Sequence, residues 1–142
     1  MKRYNLPMAA SALLPHSSPM LSVDQLLDWD KDRAVALLTI KEPALLASTP
    51  TPLEFYIEII AQTAALHNGY EALCQGKEPP AGMLVGAEKF RFESSFTLGE
   101  ELQVEITKGF AFGAINFIEG RVLRGDKIYA TGTIKVWVES EN

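Results

Sequence analysis

Residues 51–66 have the sequence TPLEFYIEIIAQTAAL, which carries the clearest structural signal in the chain. Thr51 provides an N-cap hydroxyl, Pro52 occupies the first helical position, where its missing N–H costs no hydrogen bond, and Glu54 follows three residues after the cap. Apolar residues then repeat at helical spacing, and the remaining positions are largely apolar as well. The segment therefore predicts a helix that is buried nearly all round.

The sequence on either side of this helix predicts its end and a set of strands. Gly76 and the Pro79-Pro80 pair place the end of the helix near residues 74–76. After it, β-branched and aromatic residues roughly alternate, which predicts an antiparallel meander of strands at 84–92, 102–108, 110–123 and 127–139, with turns at 98–101 and 124–127. Before the helix, the patterns indicate a helical turn at 9–14, strand or helix at 20–27, a turn at 28–32 and a strand at 33–41.

One long helix followed by four or five strands is typical of the α+β class, and the most economical packing is a curved antiparallel sheet wrapped around the helix. With 142 residues and a mass of 15.6 kDa, the chain has the length of a single domain spanning 1–142. Cys74 is the only cysteine and the sequence has two histidines, so we expect no internal disulfide, no metal site and no cofactor.

The charge balance excludes several classes of partner. The chain has 13 basic and 18 acidic residues and a net charge of −5, so we do not expect it to bind nucleic acid.

No apolar run reaches the roughly 18 to 20 residues that span a bilayer. The apolar residues after Lys2-Arg3 resemble a secretory signal only superficially, because they are few and include Pro7. We therefore expect a cytoplasmic protein.

Three polar residues lie four apart on one stripe of the apolar helix, namely Glu54, Glu58 and Gln62. Glu54 is explained by its capping position. Glu58 is a candidate general acid, because a carboxyl held in an apolar site stays protonated near neutral pH. The alternative is that the stripe simply faces solvent. Gln62 would orient Glu58 or close the inner end of a pocket, or it would only satisfy backbone groups.

His16 lies in a proline-flanked segment, PHSSP at 15–19, and is a candidate general base because the pKa of histidine is close to working pH. The alternative is a packed or surface histidine without a catalytic role. His67 is nine residues after Glu58 and is predicted to lie on roughly the opposite face of the helix, so it is not a candidate. The chain has no serine-nucleophile, P-loop or dinucleotide motif.

Three blocks of the sequence together resemble the hotdog-fold 3-hydroxyacyl-[acyl carrier protein] dehydratases, the FabZ/FabA family. They are LLPHSSPMLSVDQLL at 13–27, TPLEFYIEIIAQTAAL at 51–66 and MLVGAEKFRFESSFTLGEEL at 83–102. They occur in the family's order and with similar spacing, and they cover most of the chain. The resemblance is closest to the divergent dehydratase-like branch of aryl polyene clusters.

The resemblance implies roles for individual residues. Glu58 matches the family's catalytic carboxylate, Gln62 matches the glutamine four residues later, and Gly86 matches a glycine that lines the acyl tunnel. Leu53 stands where the family has the glycine that starts its helix, and we assign it to the substrate site with Gln62 and Gly86. The family's catalytic histidine is replaced here by Ala44. His16 matches a tunnel-lining histidine and is the base that the sequence still offers.

The expected reaction is therefore dehydration of a 3-hydroxyacyl thioester on acyl carrier protein to the trans-2-enoyl thioester. Because the family's histidine is missing, the protein could instead be a non-catalytic or weakly active subunit paired with an active homologue. A third possible function is that of an acyl thioesterase. We expect a homodimer or higher oligomer, or a heterodimer with a homologous dehydratase, because an edge strand and an open helix end are best covered by a second copy. For the acidic carrier protein we expect a basic rim, with candidates Lys89, Arg91, Arg121, Arg124 and Lys127.

Overall fold

The computed structural model describes residues 2–14, 23–40 and 52–139, which build one antiparallel sheet and one long helix. The short N-terminal strand β1 is followed by a 3-10 turn, and the helix α1 separates the first three strands from the last four. The bounds are β1 Met8–Ala9, the 3-10 turn Ala10–Ala12, β2 Gln25–Asp30, β3 Arg33–Thr39, α1 Pro52–Cys74, β4 Gly82–Phe92, β5 Glu101–Phe112, β6 Ile115–Arg124 and β7 Lys127–Val138.

The seven strands lie in the order β1-β2-β3-β5-β6-β7-β4, and every neighbouring pair is antiparallel. Helix α1 packs against one face of this sheet and contacts every strand from β2 to β7. The core between them is apolar and includes Tyr56, Ile59 and Ile60 of the helix, and Val104 and Ile134 of the sheet. A curved sheet wrapped around one helix is the hotdog fold, which confirms the fold class predicted from the sequence.

Helix α1 begins and ends where the sequence predicts, but it is less buried than the sequence predicts. The helix begins at Pro52 and ends at Cys74, and Gly76, with a φ of 68°, follows in the left-handed conformation. The prediction that the helix is buried nearly all round is wrong for the single chain. Glu54, Glu58 and Ala65 are exposed, because the sheet covers the opposite side of the helix and leaves this stripe uncovered.

Three strand predictions also need correction. Residues 28–30 belong to β2 rather than to a turn, because Asp28, Trp29 and Asp30 pair with β3. The break between the strands predicted at 102–108 and 110–123 lies at Gly113, which has a φ of 62°, and not near residue 109. The last four strands are not a simple meander, because β4 pairs with β7 while β5 pairs with β3 and β6. Strand β4 is therefore an edge of the sheet.

No helix in residues 2–14, 23–40 or 52–139 combines the length and apolar character needed to cross a bilayer.

Candidate active site

A groove of about 750 Å³ runs along the uncovered stripe of α1. The helix forms one wall and the segment that leads into β4 forms the other, with the end of β7 closing one side. The lining is mostly small or apolar and consists of Leu14, Glu58, Ala61, Gln62, Ala64, Ala65, Asn68, Pro79, Pro80, Ala81, Gly82, Met83, Leu84, Val136 and Glu139. Its size is within the range of small-molecule sites, and few polar groups converge on it.

Glu58 projects from the second turn of α1 into this groove. In the single chain its side chain is exposed, so the expectation of a carboxyl enclosed away from water is wrong for the isolated subunit. The alternative that the stripe simply faces solvent is also incomplete, because the carboxylate opens onto a concave, largely apolar surface. A second surface placed over the groove would be needed to exclude water from Glu58.

Gln62 connects the carboxylate to the entry segment of the chain. Its Nε2 donates a hydrogen bond to Glu58 Oε1 at 3.3 Å, and its Oε1 accepts one from the backbone N–H of Val23 at 3.1 Å. The side chain is only 9% exposed. Gln62 therefore combines two of the roles considered from the sequence, because it orients Glu58 and also satisfies a backbone group.

His16 and Ala44 lie outside the described residues. The residues that flank the His16 segment in the sequence both contact the groove region, since Leu14 lines the groove and Val23 is hydrogen-bonded to Gln62. The capping residue Thr51 is also outside the described part, whereas Glu54 is exposed in the first turn of α1 and does not line the groove.

Two other predicted substrate-site residues lie apart from the groove lining. Leu53 is half-buried in the first turn of α1. Gly86 lies on β4 opposite Lys135, just after a bulge that separates it from Leu84. The structure thus brings Glu58 and Gln62 together but not Leu53 and Gly86, whose roles in substrate binding stay predictions.

Sequence reasoning missed most of the opposite wall of the groove. Pro79 and Pro80 were recognised only as the end of the helix, although with Ala81 and Gly82 they face α1 across the groove. The sequence does contain a signal, because small and proline residues directly before a strand leave room beside the helix that precedes them. Glu139, the residue directly after β7, also lines the groove and is not among the residues that the sequence predicts for the site.

The predicted basic rim is largely paired with acidic side chains. Arg121 lies 2.6 Å from Glu105, and Arg124 lies 3.0 Å from Glu100. Lys89 and Arg91 lie 4.0 and 3.7 Å from neighbouring glutamates, and the ammonium of Lys127 lies over the ring of Tyr129. Within residues 2–14, 23–40 and 52–139, no cluster of three or more His, Cys, Asp or Glu residues could hold a metal ion.

Comparison with known proteins identifies the family of this chain. Residues 8–142 match the model of the ApeP-like family, described as ApeP dehydratase. The 3-hydroxyacyl-[acyl-carrier-protein] dehydratase FabZ of Streptococcus pyogenes serotype M5 (strain Manfredo) is 33% identical over 132 residues, which cover 87% of this chain and 91% of that protein. Both findings confirm the resemblance predicted from the three sequence blocks.

Among solved structures, the dehydratase heterocomplex ApeI:P from Xenorhabdus doucetiae contains a chain with a TM-score of 0.83 and 20% identity, with 98% of this chain and 94% of that chain covered. A hypothetical thioesterase protein with coenzyme A from Streptococcus pneumoniae TIGR4 has a TM-score of 0.63 and 8% identity, with 82% and 86% covered. At these identities the two structures establish a shared fold only. Because the family model spans nearly the whole chain and the sequence relative covers most of it, this chain belongs to the ApeP-like dehydratase family.

Proposed function

We propose that this chain removes water from a 3-hydroxyacyl thioester carried by acyl carrier protein and releases the trans-2-enoyl thioester. The observation that carries the proposal is a helix carboxylate, Glu58, that opens onto an apolar groove and is oriented there by a buried amide, Gln62. Membership of a dehydratase family and 33% identity to a FabZ enzyme support the same reaction.

The proposed mechanism uses one base and one acid on either side of a carbon–carbon bond. The imidazole of His16 removes a proton from C2 of the substrate, and the electron pair forms the C2–C3 double bond as the C3–O bond breaks. Protonated Glu58 gives its proton to the departing hydroxyl, which leaves as water. In the sequence His16 falls between Leu14, which lines the groove, and Val23, which is hydrogen-bonded to Gln62, and these two contacts support His16 as the base.

The open side of the groove supports a second subunit as part of the working enzyme. A closed active site keeps bulk water away from the reacting groups, and the single chain leaves the Glu58 carboxyl exposed. Among the strands that the structure describes, β4 is an edge without an outer partner, it lies directly beside the groove, and such an edge pairs readily with another chain. The ApeI:P structure is a heterocomplex, which supports a homologous but different chain as the partner.

A second candidate function is a subunit that shapes the acyl groove while a homologous partner carries out the chemistry. One observation favours it, namely that Ala44 stands where the resembled dehydratases have a catalytic histidine. In that case the groove of this chain would still bind acyl groups, but Glu58 would not transfer a proton.

The test is mass spectrometry of a 3-hydroxyacyl carrier protein incubated with the purified protein and any chain that co-purifies with it. A dehydratase yields an enoyl thioester lighter by one water, whereas a thioesterase yields a free acid and the carrier thiol. We expect Glu58→Gln and His16→Ala each to lower the rate by about a hundredfold or more.

The matched control is Glu54→Gln, which removes an exposed carboxylate one turn earlier on α1 that does not line the groove. Its rate should be that of the wild type. A Glu58→Gln assembly that is as active as the wild type would contradict the catalytic assignment and favour the groove-shaping subunit.

A further inference from the structure

The groove continues well past the proposed reaction centre. Asn68, which lies ten residues after Glu58 on the same helix, lines its far end, and ten helical residues rise by roughly 15 Å. Between these two positions the helix contributes three alanines and Gln62 to the lining, and the amide of Gln62 is already hydrogen-bonded to Glu58 and Val23. A path of this length, beginning at the proposed acid, is long enough for an extended hydrocarbon chain.

The walls of this path are mostly apolar and therefore suit an apolar chain. On the helix side the side chains at 61, 64 and 65 are single methyl groups, so the floor of the groove lies close to the helix backbone. On the other side Pro80, Gly82 and Leu84 provide a backbone-rich and apolar wall. Each methylene that leaves water in such a site strengthens binding through the hydrophobic effect.

The far end of the path is polar. Lys108 on β5 donates a hydrogen bond from Nζ to Asn68 Oδ1 at 3.0 Å, across 40 residues of sequence. Both side chains are half-buried, and partial burial lowers the pKa of Lys108 from its ordinary value. An apolar chain end that pushed between them would break a hydrogen bond in a partly desolvated place, which is unfavourable.

We propose that Ala61 and Ala65 form the floor of an acyl-chain site and that the Asn68–Lys108 pair is the stop that limits chain length. This assignment rests on the proposed function, because it takes the substrate's thioester end to lie at Glu58. It assigns the selectivity for chain length to this subunit's own helix, whichever chain covers the groove. Chains that reach past about 15 Å from the reacting carbon should be disfavoured.

The test compares 3-hydroxybutanoyl, 3-hydroxyoctanoyl and 3-hydroxytetradecanoyl thioesters on the wild-type assembly and on two variants. Ala65 is about 10 Å along the helix from Glu58, so Ala65→Leu should lower kcat/KM for the tetradecanoyl substrate about tenfold to a hundredfold while sparing the two shorter ones. Ala61 is only about 5 Å along, so Ala61→Leu should also exclude the octanoyl substrate. Equal loss for all three lengths would overturn the proposal.

The stop is tested separately with Asn68→Ala and a 3-hydroxyoctadecanoyl substrate. Removing the amide should raise the ratio of octadecanoyl to tetradecanoyl turnover above that of the wild type, and an unchanged ratio would overturn the role of the pair. The control for the two alanine-to-leucine variants is Ala111→Leu, which adds the same bulk at an exposed alanine on β5 outside the groove. Ala111→Leu should leave the relative kcat/KM values for substrates of different chain length unchanged.

Binding of unreactive acyl-pantetheine thioethers of the same lengths, measured by calorimetry, keeps this proposal separate from the catalytic one. If the wild type forms no enoyl product but Ala65→Leu still weakens only the long thioether, the acyl site stands and the catalytic proposal fails. If product forms but the thioethers lose affinity equally at all lengths, the catalytic proposal stands and the length assignment fails.

Discussion

At the scale of single residues, Gln62 matters because its two ends serve different parts of the molecule. One end holds the backbone of Val23, which is 39 residues away in the sequence, and the other end holds the carboxylate of Glu58. A buried amide that is satisfied on both sides fixes its own rotamer, and it thereby fixes the groups it contacts. The proposed acid is therefore positioned by the entry segment of the chain as well as by its helix.

We expect Gln62→Leu to lower the free energy of unfolding by about 1–3 kcal/mol, because the buried N–H of Val23 loses its acceptor. Urea unfolding followed by circular dichroism measures this change. Gln75→Leu is the control, since Gln75 is exposed just beyond the end of α1 and should alter stability little. A Gln62→Leu protein as stable as the wild type would show that the hydrogen bond to Val23 contributes nothing.

His67 is a second residue whose environment has a measurable consequence. It is fully buried, its ring lies 5.2 Å from that of Trp29, and Nε2 donates to the carbonyl of Asp30 at 2.7 Å. Its Nδ1 is buried and has no hydrogen-bond partner among the described residues. Burial lowers the pKa of His67 below its ordinary value of 6.5, and the positive charge of Lys108 acts in the same direction.

Because the folded protein keeps His67 neutral while the unfolded chain takes up the proton, stability should fall as the pH drops below about 6.5. The slope contributed by this residue is at most about 1.4 kcal/mol per pH unit, and it ends where the lowered folded-state pKa is reached. Urea unfolding between pH 7.5 and 5 measures it, with His67→Gln expected to flatten the curve. An identical pH dependence in that variant would assign the effect to other groups.

At the scale of secondary-structure elements, one close approach sets the distance between the helix and the sheet. A Cβ built on Gly120 of β6 would come within 2.5 Å of Ile60 Cγ2, with two more atoms of that side chain within 2.9 Å. Ile60 is fully buried and branched, so it has no room to retreat. A glycine at this position therefore allows α1 to pack closely on the inner face of the sheet.

Gly120→Ala should accordingly destabilise the fold by about 1–3 kcal/mol through overpacking. Thermal unfolding measures the change, and Gly86→Ala is the matched control on β4. There the nearest atom to an added Cβ is the flexible Lys135 Cδ at 3.4 Å, so the melting temperature should hardly move. An equal loss of stability in both variants would mean that the contact with Ile60 is not its cause.

At the scale of the whole molecule, one edge of the sheet is unusually apolar. Strand β4 has no partner on its outer side within the described sheet. Three of its apolar residues are exposed to solvent, with exposed fractions of 61% for Met83, 50% for Val85 and 47% for Phe92. Unpaired edges with apolar side chains usually mark a site of association. This edge also borders the groove, since Met83 and Leu84 line it.

We expect Val85→Glu to reduce the molar mass measured by light scattering and to lower dehydration activity in parallel, because a charge on the edge opposes strand pairing. Leu98→Glu is the control, since Leu98 is exposed in the turn before β5 and away from β4. If Val85→Glu leaves the mass unchanged, the edge of β4 is not the contact between subunits.

Local signals in the sequence determined the helix and most strand positions. The proline and glycine signals at the ends of α1 act within a few residues, and a four-residue spacing alone places Glu58 and Gln62 on one stripe. Hairpin ends are harder to predict. The sequence predicts a break near Gly109, whereas β5 continues through this glycine to Phe112, because the residues on both sides of it have strand character.

Only the tertiary structure decided that β4 lies beside β7, that Val23 contacts Gln62, and that the stripe with Glu58 borders an open groove. These features depend on contacts between residues far apart in the chain. Periodicity shows which face of an element is apolar but not which other element covers it. The exposure of Glu58 illustrates the point, since its apolar neighbours predicted burial and the extent of the sheet decided against it.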